Sequence, residues 1–323
     1  MSTYKLIYLG SPKFSADILK FISTNLSFID LQAVVTQPDR PQGRQGVLTP
    51  SPVAQTAQKL DIPTFKPQDI NEDNLQHIKL LKPDLFLTVA YGQILPLSWL
   101  DTPKIATLNL HFSLLPKYRG ALCIKQAILN QDQNTGVTLM KMDQKLDHGP
   151  IISQIKQSIS TNDDLSTLTK KLKIKASTLL DKTLLPYLQH TQNKNSKTPK
   201  INHPDISLFL PPKPQDHSQA TYTPPTSQNT HQNAFISWQK IKKASQSKNA
   251  PQVHAQIRAN NPNPGAWTKV PTTKGNTKLK IIKTKLDNQK LALKKVQLPG
   301  KNPISWQQFT TGYQIKPDQQ FQK

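Results

Sequence analysis

The chain has 323 residues with 35% hydrophobic content, 27 prolines and one cysteine, which leaves room for a well-packed domain plus polar, loop-rich sequence and excludes an intramolecular disulfide or a cysteine-rich zinc site. No apolar run reaches the roughly 18 residues of a membrane span, and the segment from Tyr4 reads straight into a strand without the basic and cleavage regions of a signal peptide, so a reduced, cytoplasmic setting is expected. The formal charge of +23 is lopsided: residues 1–150 carry 15 Lys/Arg against 12 Asp/Glu, whereas residues 151–323 carry 27 against 7, which points the back half toward a polyanion such as RNA.

Residues 4–9 form a short apolar run, followed by Gly10-Ser-Pro12 and a helical pattern through Phe14, Ile18, Leu19 and Ile22. Residues 29–36 read as a second strand that opens into a Pro- and Gly-rich loop from Gln37 to Pro52. Helices are expected over Val53–Leu60 and Ile70–Leu81, with buried strands over 84–90 and 106–111. Later strands follow at Val137–Met142 and Ile151–Ile155, then a helix from about Asp164 to Leu188. Strands alternating with helices imply an α/β fold, a doubly wound, mostly parallel sheet. The composition changes near His190. Residues 1–189 are expected to be the catalytic domain, 190–221 a polar, proline-rich linker with a sticky patch at Ile206–Leu210, and 222–323 a basic domain. In the last, alternating runs such as Lys278–Lys283 and Leu291–Val296 suggest a small β-barrel with lysines on its outward face.

In an open α/β sheet ligands sit beyond the carboxyl ends of the strands. The strand at 106–111 ends with Asn109 and His111, two residues apart and so on one face. Two polar residues are unusual on a strand that should be buried, and the Ser-Leu-Leu-Pro turn after them is expected to leave backbone groups free for a ligand. A core histidine with a satisfied hydrogen bond is the plainer reading of the same pattern. Asp143 and Asp147 both lie in the polar loop that follows Met142, and spacing does not choose between them. The sequence has no dinucleotide-binding G-x-G-x-x-G, no Walker-type loop and no G-x-S-x-G elbow. Its eight histidines are scattered without metal spacing.

Several segments, taken in order, resemble the methionyl-tRNA formyltransferases, a branch of the folate-dependent formyltransferases. Leu9-Gly-Ser-Pro-Lys-Phe14 is similar to that family's opening G-T-P-x-F. Thr36-Gln-Pro-Asp-Arg-Pro-Gln-Gly-Arg44 and Leu48-Thr-Pro-Ser-Pro-Val53 look like its loop for the acceptor end of the tRNA. Val89–Pro96 is similar as well, and Asn109-Leu-His-Phe-Ser-Leu-Leu-Pro-Lys-Tyr-Arg-Gly-Ala121 resembles the formyltransferase signature, with Leu146-Asp147 as its partner. Pro214–Tyr222 and Gln256–Trp267 resemble the family's linker and C-terminal domain.

The resemblance implies a Rossmann-like domain followed by an OB-like barrel. It implies a catalytic trio of Asn109, His111 and Asp147, which settles Asp147 over Asp143. It implies that Ser113, Leu114, Leu115 and Pro116 contact folate, and that Arg40 and Arg44 lie on a mobile lid near the aminoacyl end. The co-substrate would be 10-formyltetrahydrofolate, without a metal, and the partner initiator methionyl-tRNA; a monomer is expected. The signature is shared with enzymes acting on amino sugars or nucleotides, so such an acceptor is one alternative and a non-catalytic RNA-binding protein on this scaffold another. Departures from the family pattern fall at Ala121-Leu-Cys-Ile124 and at His148-Gly-Pro150, and they bear on how the acceptor is positioned.

Overall fold

The structure is a computed structural model that describes residues 3–43, 45–192, 201, 203–246 and 249–315. In chain order the elements begin β1 (Tyr4–Gly10), α1 (Lys13–Asn25), β2 (Ile29–Val35), β3 (Arg40–Gln42), β4 (Val47–Thr49), α2 (Pro52–Lys59), β5 (Thr64–Phe65) and α3 (Glu72–Leu80). They continue as β6 (Leu85–Val89), α4 (Leu97–Leu100), β7 (Ala106–His111), α5 (Cys123–Leu129), β8 (Asn134–Lys141), β9 (Ile151–Ser158), α6 (Leu165–Gln192) and β10 (Ile206–Lys213). The last are α7 (Trp238–Ala244), α8 (Ala250–Asn260), β11 (Trp267–Thr272), β12 (Gly275–Asp287), β13 (Lys290–Gln297), β14 (Ile304–Ser305) and α9 (Trp306–Gly312).

The described residues fall into two compact units. The first comprises Met1–Ala121, Thr135–Gln157 and Lys170–Thr223; the second comprises Leu122–Asn134, Ser158–Thr169 and Pro224–Lys323.

The first unit is built on an eight-stranded sheet in the order β10-β9-β8-β7-β6-β1-β2-β5. β7, β6, β1, β2 and β5 run parallel, β8 is antiparallel to β7, and β10 is antiparallel to β9. Every residue of β6 is buried and β1 is nearly so, as a parallel strand covered on both faces requires. Ile7, Leu9, Val35, Phe86 and Trp99 share one apolar cluster, and each such side chain gains roughly 1.5–3 kcal/mol on leaving water. Side chains cap the starts of α2 and α3. Ser51 accepts from the Ala54 N–H ahead of Pro52, and Asn71 accepts from Asn74 N–H ahead of Glu72 and Asp73, a cap worth about 1 kcal/mol. From β1 the chain builds outward to β2 and β5, then crosses to β6 and β7 on the other side. The order therefore switches between β1 and β6, whose ends Gly10 and Val89 lie side by side.

Each expected strand and helix of this half is present, with ends displaced by a few residues. The cap at Asn71 moves the start of α3 to Glu72, and β8 starts earlier, at Asn134. Two features differ from the expectation. The loop from Gln37 to Pro52 contains the β3–β4 hairpin, in which Arg40 pairs with Thr49. Within 190–221, Ile206–Lys213 is a strand on the edge of the main sheet. Its Pro211 and Pro212 hide the strand pattern, and an edge strand is where proline is tolerated.

In the second unit the expected small barrel takes the form of a four-stranded antiparallel sheet, β11-β12-β13-β14. Along β12, Leu279 and Ile281 are buried whereas Lys278, Lys283 and Lys285 are exposed; the alternation slips once, at the register shift after Ile281. Helices α7, α8 and α9 contribute Trp238, Ile241, Val253, Ile257 and Phe309 to the core beneath. Helix α8 also buries His254. Its Nε2 donates to Thr161 O at 2.9 Å and its Nδ1 lies 2.7 Å from Thr284 Oγ1, and burial pushes its pKa below the ordinary value.

Candidate active site

β7 places Asn109 opposite Thr88 of β6 and Met140 of β8, and His111 opposite Thr138. Period-two geometry sets both polar side chains on one face at the carboxyl edge of the parallel strands. The loop after β8 brings Asp147 to them. Asn109 Nδ2 donates to Asp147 Oδ1 at 2.9 Å, and His111 Nδ1 lies 3.6 Å from Asp147 Oδ2. Asp143 is engaged elsewhere, on the Lys145 N–H and on His148 Nδ1 at 2.7 Å. Of the two aspartates, Asp147 is the one that the fold brings to Asn109 and His111.

Proton bookkeeping constrains this group. A carboxylate only accepts, so the Asn109 amide must present nitrogen to Asp147 and oxygen toward Thr88 Oγ1, 3.0 Å away. Its second N–H has no protein acceptor among the described residues. His111 is 7% exposed, and its Nε2 is 2.9 Å from Tyr118 O. Because a carbonyl only accepts, Nε2 carries a proton. The Nδ1–Asp147 distance is too long for a direct hydrogen bond and short enough for a charge pair. Asp147 Oδ2 also accepts the Gly120 N–H at 2.7 Å.

Two backbone conformations hold this arrangement. Asp147 is left-handed, with φ of 46°, an uncommon state for a residue other than glycine. Gly120 has φ of 107°, and a Cβ there would lie 2.5 Å from Thr223 Oγ1. The 118–120 turn is laced to a strand-like stretch well downstream. Tyr118 N–H donates to Thr221 Oγ1 at 2.9 Å, Arg119 N–H to Thr221 O at 2.8 Å, and Thr223 N–H to Arg119 O at 2.8 Å.

The Ser113–Pro116 turn departs from expectation in its hydrogen bonding. Ser113 O accepts from Thr138 Oγ1, Leu115 N–H donates to Thr138 Oγ1, and Leu115 O accepts from Gln154 Nε2. Ser113 Oγ donates to Lys117 O, and Leu114 O accepts the Lys117 N–H. Most of the polar groups expected to be free are therefore used to rigidify the turn; the N–H groups of Ser113 and Leu114 have no acceptor among the described residues. Ser113 and Leu115 are buried, while Leu114 and Pro116 are half-buried.

Arg40 is exposed and lies on β3. It donates to Gln37 Oε1 at 2.9 Å, and Gln37 Nε2 donates to Tyr91 O at 3.3 Å, next to the switch point. Arg44 lies outside the described residues. Val47 and Leu48 on the same hairpin are 59% and 67% exposed. Cys123 is buried in α5. Among the described residues no three His, Cys, Asp or Glu side chains gather where they could hold a metal, and no helix is long and apolar enough to cross a membrane.

Several contributors went unread in the sequence. Thr88 stands out only as the one hydroxyl in a wholly buried strand. Arg119 and Gln215, 96 positions apart, meet through Arg119 Nε and NH2 on Gln215 Oε1 at 3.2 and 2.8 Å. His217 stacks on His148 with ring centroids 4.0 Å apart. Desolvation first, then the charges of His148 and Arg119, hold His217 below its ordinary pKa.

On the second unit, the outer face of β11 and β12 carries Trp267 paired with Lys280 and Lys269 paired with Lys278. The Lys278 ammonium sits 4.7 Å from the Trp267 ring centroid. Lys283 faces Lys295 across β12 and β13. Like charges directly opposite one another cost stability.

The chain is similar to known proteins along most of its length. The family model described as formyl transferase matches residues 4–184, and that for the formyl transferase C-terminal domain matches residues 230–294. Methionyl-tRNA formyltransferases of Staphylococcus aureus strains JH1 and N315 are each 36% identical to the chain over 332 residues, covering 96% of it and 96% of the relative. Among solved structures, the fold is similar to that of an N-formyltransferase from Helicobacter canadensis, with TM-score 0.56, 22% identity and 88% coverage of each chain. It is also similar to a sugar N-formyltransferase from a Shewanella species, with TM-score 0.55, 14% identity and coverage of 87% and 97%.

Proposed function

The chain belongs to the formyl transferase family, and on that premise we propose that it moves the formyl group of 10-formyltetrahydrofolate onto the α-amino group of initiator methionyl-tRNA. The observation that carries the chemistry is Asp147, whose two carboxylate oxygens address Asn109 and His111 together at the carboxyl edge of the sheet.

The amine attacks the formyl carbon, and the carbonyl oxygen becomes an oxyanion in the tetrahedral intermediate. The second Asn109 N–H donates to that oxygen. His111, protonated on both nitrogens and paired with Asp147, supplies the positive charge, and its Nδ1–H turns toward the oxyanion. Asp147 takes the proton lost by the attacking amine, through a water, and returns it by the same route to N10 of the folate as the C–N bond breaks, which leaves Asp147 ionised again. No covalent intermediate on the protein is needed. Loss of one oxyanion donor in comparable sites costs about 10²–10³ in kcat.

The Ser113–Pro116 turn would receive the folate, with the Ser113 and Leu114 N–H groups toward the ligand. Arg40 and Arg44 would meet the aminoacyl end. The lysines of β11–β13 support RNA as the acceptor's carrier, since an amino sugar or nucleotide would not call for them, and their grip would be backbone-directed and salt-sensitive. This reading puts the protein in the cytoplasm, acting as a monomer. The test is incubation with radiolabelled 10-formyltetrahydrofolate and charged initiator tRNA, with free methionine and a nucleotide-linked amino sugar as competing acceptors. Label on the tRNA supports the proposal. Label on the sugar, or on nothing, overturns it.

A further inference from the structure

Gln215, just past β10, is 5% exposed, and its carboxamide is fully committed. Nε2 donates to Asp147 O and to Gly149 O, each at 2.8 Å. Oε1 accepts from Arg119 Nε and NH2. The amide has one possible orientation, because a guanidinium only donates and a carbonyl only accepts. Arg119 is itself 2% exposed. Its other acceptors are neutral, namely His217 Nδ1 at 2.8 Å and the Tyr222 hydroxyl at 3.1 Å.

These bonds close a circuit around Asp147. Gly120 N–H, one residue after Arg119, holds the Asp147 carboxylate; the Arg119 side chain reaches Gln215, which holds the Asp147 carbonyl. Aspartate is among the few residues besides glycine that take a left-handed backbone, and Asp147 does so in a polar loop whose residues Lys145 and Leu146 are exposed, with its carbonyl held by Gln215. Resting on the reading of Asp147 as catalytic, we propose that Gln215 is a positioning residue, clamped by Arg119, that fixes the Asp147 backbone so that its carboxylate meets Asn109 and His111 together.

The consequence is specific to the chemical step, because Gln215 touches the carbonyl of Asp147 rather than a substrate. Small misplacement of a reacting group costs up to about 100-fold in rate. Two substitutions separate this role from plain stabilisation. Gln215→Glu removes both N–H donors while giving the buried Arg119 a carboxylate partner; Gln215→Met removes the donors and adds no charge near Asp147.

The full-length variants are assayed for kcat, for KM of each substrate and for melting temperature, with Asp147→Asn measured alongside. The expected result is a fall in kcat of roughly 10- to 100-fold in both Gln215 variants, with KM within about twofold, whatever the change in melting temperature of each. Near-wild-type kcat in Gln215→Glu, or a kcat that follows melting temperature across the set, would overturn the proposal while leaving Asp147 catalytic. Full activity in Asp147→Asn would overturn the reading beneath it.

Discussion

The surroundings of Asp147 and the outer face of the C-terminal sheet are both polar, and they are built on opposite plans. Around Asp147 particular side chains and N–H groups meet particular atoms of one residue, so Asn109, His111, Gly120 and Gln215 are not interchangeable. On β11–β13, Lys269, Lys278, Lys283, Lys285 and Lys295 are exposed, and none of them pairs with a carboxylate among the described residues. One region uses geometry, the other a summed field. Chemistry on a single carbon demands the first plan, and grip on a long polyanion tolerates the second.

That contrast predicts a steep series and a shallow one. The largest effect belongs to Asn109→Ala, expected to lower kcat by about 10²–10³ without unfolding the protein, as read by single-turnover formylation and circular dichroism. Wild-type turnover would remove Asn109 from the chemistry. Next, Gly120→Ala forces a Cβ against Thr223 Oγ1 at φ of 107° and should cost roughly 1–3 kcal/mol of stability, seen as a lower denaturant midpoint together with lost activity. A silent Gly120→Ala would mean that the turn adapts, and the contrast would weaken.

The lysine face should respond gradually. Lys278→Gln with Lys280→Gln is expected to raise KM for tRNA a few-fold at unchanged kcat and to reduce the slope of log affinity against log salt by about 0.9 for each phosphate that is no longer neutralised. Titration of binding at several salt concentrations checks this, and a collapse of kcat instead would show that the face takes part in the chemical step.

The smallest effect concerns pH. His254 has a pKa lowered by burial, so the unfolded chain takes up its proton first, at about pH 6.5. Stability is therefore full above that value, falls as pH drops from it toward the folded-state pKa, and levels off below. His254→Gln should lose this part of the acid dependence in denaturant melts between pH 5 and pH 8. His217 shifts in the same direction, so it is the difference between variant and wild type that isolates His254.

Much of the parallel sheet was legible because buried strands are apolar runs; β1, β6 and β7 announce themselves. Asn109 and His111 were legible as polar exceptions on such a strand. The rest depends on pairings that no local pattern encodes. Gln215 lies 68 positions from Asp147, and Thr221 lies 103 from Tyr118. β10 carries two prolines that deny it a strand's signature, and the β3–β4 hairpin buries too little to leave an apolar alternation. Asp147 and Asp143 look alike on paper; what separates them is the particular neighbours each meets after folding.

The circuit through Gln215 also bears on how the chain can be divided. The composition change near His190 invites a cut there, yet a fragment ending with α6 would lose β10, Gln215 and Thr221 together. Its sheet would have a bare edge at β9, and its aspartate would have no anchor on the carbonyl side. The first compact unit runs on to Thr223, and the stretch before it includes Leu122–Asn134 and Ser158–Thr169, which belong to the second unit. In a gene fusion or domain swap, a cut at the visible seam in composition would part Asp147 from Gln215.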